Sequence, residues 1–230
     1  MRVIVIQSPV ASSEERLNRR IMMLNVLQLK TSIFDDKNQQ GVSSQLSDEL
    51  LVQLRAQYPR LRLTQRNFSH SAIPYFDSSF LQALSTAKEQ RSAAQAEKVA
   101  YSDSLIKEVE QADIIIIGAP MYNFAIPAML KSWTDHIARA GVTFKYTEQG
   151  AVGLLKNKKA YVVLSTGGLH EEGVSDFIRP FLRTFLGFLG INDVEFIVAN
   201  GLNMGEKPRA AGFALARQKI AQLNPHGEAA

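Results

Sequence analysis

Thr31–Gln45, TSIFDDKNQQGVSSQ, is rich in serine, glycine and glutamine and stands between an apolar run and an amphipathic one. Backbone N–H groups at a helix N-terminus, flanked by hydroxyls, form an anion site. Ser32, Gly41, Val42, Ser43 and Ser44 are the candidate phosphate contacts. The stretch has no P-loop lysine and no GxGxxG, which argues against a nucleoside triphosphate and against a dinucleotide fingerprint. Plain helix capping by Ser43 or Ser44 would use the same residues.

A second stretch, Gly118–Pro127, reads GAPMYNFAIP and follows the most apolar run of the chain. Pro120 and Pro127 restrict φ and stiffen it. Met121, Tyr122 and Phe124 offer a flat apolar wall, while Asn123 and the backbone supply hydrogen bonds to a heterocycle edge. An isoalloxazine ring suits such a lining; the alternative is that these side chains only fill the core. A third stretch, Ser165–His170, reads STGGLH. Gly167 and Gly168 let the backbone approach a ligand closely, and Ser165, Thr166 and the glycine N–H groups can meet a polar ring edge. N–H donors near a flavin's N1 and C2 carbonyl would favour its anionic reduced form. His170 is a further candidate donor there, and a tight turn with a surface histidine is the alternative. No GxSxG elbow or acid–base pair stands out, as expected where a cofactor carries the chemistry.

Something must hold these stretches together. Apolar runs precede them: Asn25–Lys30, Asp113–Pro120 and Lys159–Ser165, with further runs at Arg2–Gln7, Arg60–Phe68 and Val194–Asn200. Runs without alternation fit strands covered on both faces. Helical patterns separate them at Ser43–Tyr58, Ser78–Gln111 (two helices), Ala128–Ala140, Phe177–Leu189 and Arg209–Leu223. Strands alternating with helices predict a doubly wound α/β sheet whose ligand lies beyond the strands' carboxyl ends. Both Arg2–Gln7 and Asn25–Lys30 resemble a first strand. Only the second leads into a well-formed amphipathic helix and another strand, so residues 1–22 read as an extension and 23–230 as the domain. The stripe Phe177, Phe181, Phe185 and Phe188 fits core packing or a dimer interface.

Composition bounds the remainder. The chain has 230 residues, 46% hydrophobic and 21% charged, which suits one ordered domain. It has no cysteine, which excludes disulfides, thiolate metal sites and iron–sulfur clusters; its histidines form no ligand pair. No apolar run reaches membrane-spanning length, no basic run suggests nucleic-acid binding, and no secretory leader is recognisable. The expected location is the cytoplasm.

Taken together, APMYNF, ARAGVTFKYTEQGAVGL at Ala138–Leu154, KKAYVVLSTGG and TFLGFLGI at Thr184–Ile191 resemble the bacterial FMN-dependent NADH-azoreductases, which are quinone and azo-compound reductases. The resemblance runs from roughly Leu24 onward and prefers the second first-strand candidate, with Lys30–Ile33 and Gly41–Asp48 as the phosphate loop. It implies a flavodoxin-like five-stranded parallel sheet, order 2-1-3-4-5, with helices on both faces. Ser32, Gly41, Val42 and Ser43 would hold the FMN phosphate. Pro120, Met121, Tyr122, Asn123 and Phe124 would line the ring and ribityl chain, and Ser165, Thr166, Gly167 and Gly168 the pyrimidine end. Tyr146, Phe188 and His170 are the expected substrate-side residues, Phe188 reaching across from a second subunit of a homodimer. NADH or NADPH would reduce the flavin and a quinone or azo compound would reoxidise it, in alternating two-electron steps. Some relatives carry Arg where this chain has Thr166, and the loop Phe34–Gln40 is longer and more charged here. Competing readings are a flavin- or nitroreductase, a non-catalytic electron carrier or flavin-binding regulator, and an inactive partner-binding domain.

Overall fold

The computed structural model describes residues 22–34 and 39–223. Arg2–Gln7, residues 1–21 of the extension assigned to residues 1–22, and residues 35–38 of the charged loop lie outside them. The first strand is β1, Leu24–Lys30, followed by α1, Val42–Gln57, and β2, Leu61–Asn67. Two helices, α2 Ser78–Ser85 and α3 Ala93–Gln111, lead to β3, Ile114–Pro120, and α4, Ala128–Ile137. A hairpin of β4, Phe144–Thr147, and β5, Gly150–Gly153, precedes β6, Lys159–Ser165. Helix α5, Ile178–Leu189, β7, Asp193–Ala199, and α6, Glu206–Gln222, complete the order.

Five parallel strands form one sheet in the order β2-β1-β3-β6-β7. With the hairpin set aside, this is the expected order, and β1 occupies the place assigned to Asn25–Lys30. The absence of alternation has a direct cause. In β3, Ile115 and Ile117 enter the core on the α3, α4 and α5 side, whereas Ile114 and Ile116 enter the core under α1 and α6. Val162 and Leu164 of β6 split from Tyr161 and Val163 in the same way. Each of the four isoleucines is at most 3% exposed, and full burial of such a side chain is worth about 1.5–3 kcal/mol. Burial also pushes the Tyr161 phenol well above its ordinary range, keeping it neutral in the core.

The hairpin was not read from the sequence, because β4 and β5 are short and mostly exposed. It is fastened to α5 by backbone as well as by side chains. Leu155 N–H donates to Leu189 O at 2.9 Å. Helix α5 ends at Gly190, φ +100°, in the left-handed region, with Ile191 N–H returning to Leu186 O at 2.9 Å, the closure that favours glycine. A Cβ on Gly153 would lie 2.1 Å from Gly190 N, so the two glycines meet backbone to backbone. Replacing Gly153 by Ala should therefore cost about 1–3 kcal/mol through overpacking. Thermal unfolding followed by circular dichroism should show a Tm lower by roughly 2–4 °C per kcal/mol.

Candidate functional site

The carboxyl ends of β1, β3, β6 and β7 are laced edge to edge. Thr31 N–H and Oγ1 both donate to Gly118 O, at 3.3 and 2.7 Å. Met121 N–H donates to Ser165 O at 2.8 Å, and Thr166 N–H to Ala199 O at 2.9 Å. The loop after β7 folds back, with Leu202 N–H on Thr166 O at 3.1 Å and Asn203 N–H on Gly167 O at 2.9 Å. The result is one cleft lined by Ser32, Phe34, Gly41 and Val42, by Pro120, Met121 and Tyr122, and by Ser165, Thr166 and Gly167. All three stretches singled out in the sequence meet there.

One end of the cleft is the first turn of α1. Gly41 is its N-cap, and no side chain caps it, so the capping role open to Ser43 and Ser44 is not the one they take. Both hydroxyls are buried and have no hydrogen-bond partner among the described residues. The N–H groups of Val42, Ser43 and Ser44 have no acceptor within a helix that starts here, and its first turn holds no acid. Ser43 itself lies beneath the cleft. A Cβ on Gly118 would come 3.2 Å from Ser43 O, so the helix rests directly on the strand tip. Gly41 is likewise pressed against Ser32, where a Cβ would stand 2.1 Å from Oγ.

Tyr122 ties the first loop to the second. Its hydroxyl accepts from Ile33 N–H at 3.2 Å and stands 3.4 Å from Ser32 Oγ, which accepts from Phe34 N–H at 3.1 Å. Tyr122 and Ala125 exchange backbone hydrogen bonds at 3.0 and 3.1 Å across Asn123 and Phe124. Both central residues have positive φ, +51° and +66°, as in a type I′ turn. Asparagine tolerates this conformation, whereas a bulky phenylalanine there is strained. The loop thus owes its shape to a hydrogen-bonded turn as well as to its two prolines.

Beyond this turn the surface is apolar. Phe124 meets His170 edge to face at 5.7 Å and, with Ile126, Phe177, Ile178 and Phe181, lines a groove of about 480 Å³, within the ~300–1,000 Å³ typical of ligand sites. His170 Nδ1 is 3.1 Å from Ser175 Oγ, and its Nε2 lies 3.2 Å from where a Cβ on Gly168 would stand. Thr166 is buried and donates Oγ1 to Gly168 O at 2.7 Å, so its side chain shapes the glycine turn. Tyr146 and Phe188 are not among the residues lining the cleft within this chain. They pack on either side of Phe144, with ring centroids at 5.5 and 4.4 Å. The phenylalanine stripe divides as well: Phe177 is 52% exposed, while Phe181 and Phe185 stack at 6.0 Å, partly buried.

Sequence reading missed Leu202, Asn203 and Arg209, which complete the cleft. The signal for Leu202 and Asn203 was present in NGLNMG, a glycine-bearing loop after a strand, as STGGLH is, whereas Arg209 lies beyond it in the following helix. It also missed the polar brace under the first loop. Gln28, buried in an apolar strand, donates to Ser47 Oγ and Asp48 Oδ1 at 3.1 and 2.8 Å, while Lys30 and Gln40 both reach Asp48 Oδ2 at 2.7 Å. A glutamine inside a buried run was the clue.

Fold and cleft define a doubly wound α/β protein with a cleft at the carboxyl ends of β1, β3 and β6, where the sheet order reverses and such folds bind their ligands. The family model described as "Flavodoxin-like fold" matches residues 25–223. A protein of Saccharophagus degradans named FMN-dependent NADH:quinone oxidoreductase is 47% identical over 206 residues, covering 86% of this chain and 92% of that protein. One of the same name from Cellvibrio japonicus is 46% identical over 200 residues, covering 87% and 98%. Among solved structures, an azoreductase from Bacillus anthracis superposes with a TM-score of 0.77 at 27% identity, over 87% of this chain and all of that one. The chain belongs to the flavodoxin-like fold family and, within it, to the family of these FMN-dependent NADH:quinone oxidoreductases.

Removing the Tyr122 hydroxyl should unfasten the two loops. Tyr122→Phe is expected to lower unfolding stability by about 0.5–1.5 kcal/mol and to speed hydrogen exchange at the Ile33 amide. An Ile33 amide that exchanges at the wild-type rate would show that this bond holds nothing.

Proposed function

We propose that the cleft holds FMN and that the chain is an FMN-dependent oxidoreductase that carries electrons from NADH to quinones and aromatic azo compounds. The observation that carries this reading is the convergence of three strand tips into a cleft with unpaired anion donors at one end and a glycine-lined polar edge at the other. The names of the relatives, FMN-dependent NADH:quinone oxidoreductase and azoreductase, support it.

The residues present fit the group. Ser32 and the N–H groups of Gly41, Val42 and Ser43 suit a phosphate, since the α1 N-terminus carries partial positive charge and no competing cap. Pro120, Met121, Tyr122 and Asn123 form the wall for a planar ring, and Ser165, Thr166, Gly167 and Gly168 stand at the end suited to its polar edge. FMN, when bound, supplies the two-electron chemistry between reduced nicotinamide and acceptor. Phe124 and His170 border the mouth of the cleft. The apolar groove beside them accepts flat molecules by burying their faces, without a dedicated hydrogen-bond pattern, which fits a broad range of quinones and azo compounds.

The same groove supports a homodimer. Phe124 and Phe177 are 55% and 52% exposed beside Ile126 and Phe181, an apolar surface suited to self-association. A partner seated there would bring a second wall to the open side of the site, and Tyr146 and Phe188 are the residues proposed to serve across that interface. No described helix is long and apolar enough to cross a membrane, and a cytoplasmic location fits a protein fed by NADH.

The purified full-length protein should be yellow, lose its flavin absorbance on anaerobic addition of NADH, and regain it on addition of a quinone. A flavin band that NADH leaves unbleached would remove the reductase reading. Light scattering should give twice the chain mass, and Phe177→Asp should shift it toward the monomer.

A further inference from the structure

Arg209 stands in the first turn of α6 and lines the same cleft as Gly41 and Val42 at the N-terminus of α1. It is the one cationic side chain among the described residues that line the cleft. It also borders, with Gln45 of α1, the shallow groove between α1 and α6. Two contacts hold the arm in place: Nη1 donates to Leu202 O at 3.2 Å, and the guanidinium lies 5.4 Å from the Phe213 ring centroid. They leave most of its five N–H donors unused.

Four other arginines of the molecule show the contrast, each paired with a carboxylate, whereas Arg91 is held on the carbonyls of Ala83 and Thr86. Arg66 pairs with Glu108, Arg179 with Asp176 and Glu172, Arg183 with Glu172, and Arg217, on the same helix, with Glu49. Arg209 forms no salt bridge among the described residues. An arginine oriented by a carbonyl and an aromatic ring, lacking a carboxylate and sharing a cleft with a helix N-terminus, is the arrangement expected for an anionic ligand. Helix α1 offers N–H donors and partial charge but no basic residue in its first turn.

We infer that Arg209 is a specificity residue of this cleft, binding the phosphomonoester of the flavin and so selecting the phosphorylated flavin over the unphosphorylated one. The inference rests on the FMN reading above. A guanidinium gives two parallel N–H donors to two phosphate oxygens, a geometry that lysine does not reproduce.

Flavin release on dilution of the full-length holoprotein, read from the fluorescence of the freed ring, gives the dissociation constant. FMN and riboflavin are compared in wild type, Arg209→Gln, Arg209→Lys and, as a control on the same helix, Arg217→Gln. Arg209→Gln should weaken FMN about tenfold and riboflavin less than twofold, with the difference shrinking as salt rises. Arg209→Lys should recover part of the loss, and Arg217→Gln should match wild type. Equal weakening of both flavins would place Arg209 at the ring and overturn the assignment, as would unchanged FMN binding by Arg209→Gln. A wild-type protein that retains no FMN at all would instead overturn the flavin reading, and this inference with it.

Discussion

Everything at the site depends on the parallel register that brings the ends of β1, β3 and β6 level. Lys30 pairs with Gly118, and Pro120 with Ser165. The chain then continues each strand by one or two residues of cross-tip hydrogen bonding, from Thr31 to Gly118 and from Met121 to Ser165. A slip along either pair would carry one loop away from the other two. That register is held because both faces of these strands are buried. Moving β3 by one residue would exchange its isoleucines between the two cores.

Close approach then decides what the tips can offer. Gly118 carries the backbone of Ser43, Gly41 lies on Ser32, and Gly167 faces Asn203. Each contact removes a side chain where a Cβ would intrude and leaves backbone N–H groups and hydroxyls at the surface of the cleft. Strain is concentrated in the same place. Phe124 occupies the left-handed region so that its ring can stand between the cleft and the apolar groove. An irregular conformation of this kind, costing of order 1–3 kcal/mol, is tolerable on a scaffold whose central strand is entirely buried.

In the proposed reading, the cleft and the groove divide the work of one reaction. The cleft supplies polar, fixed donors suited to a cofactor that stays. The groove supplies apolar surface and few polar groups, suited to flat molecules that come and go. Shape and burial discriminate weakly among such molecules, so a broad acceptor range, as proposed, would follow from the chemistry of Phe124, Phe177 and Phe181 rather than from any looseness of the fold.

By itself the sequence determined the layered architecture and the three loops that build most of the cleft. Unbroken apolar runs mean strands buried on both faces, and a parallel sheet leaves only its carboxyl-end loops free to bind; Ser32, Gly41, Met121, Tyr122, Ser165 and Gly167 follow from that rule and from their types. The family resemblance rested on motif strings such as APMYNF and was matched by the relatives. Tertiary structure alone decided which side chains face the cleft. It turned Ser43 beneath the floor, sent Phe124 to the groove, and grouped Tyr146 and Phe188 around Phe144. It also brought in Leu202 and Asn203 from the loop after β7 and Arg209 from the first turn of α6. The physical reason is that periodicity reports burial along one element, whereas a binding surface is set by contacts between elements far apart in the chain. No local pattern records that a glycine has met a neighbour's backbone, or that an arginine lacks a carboxylate.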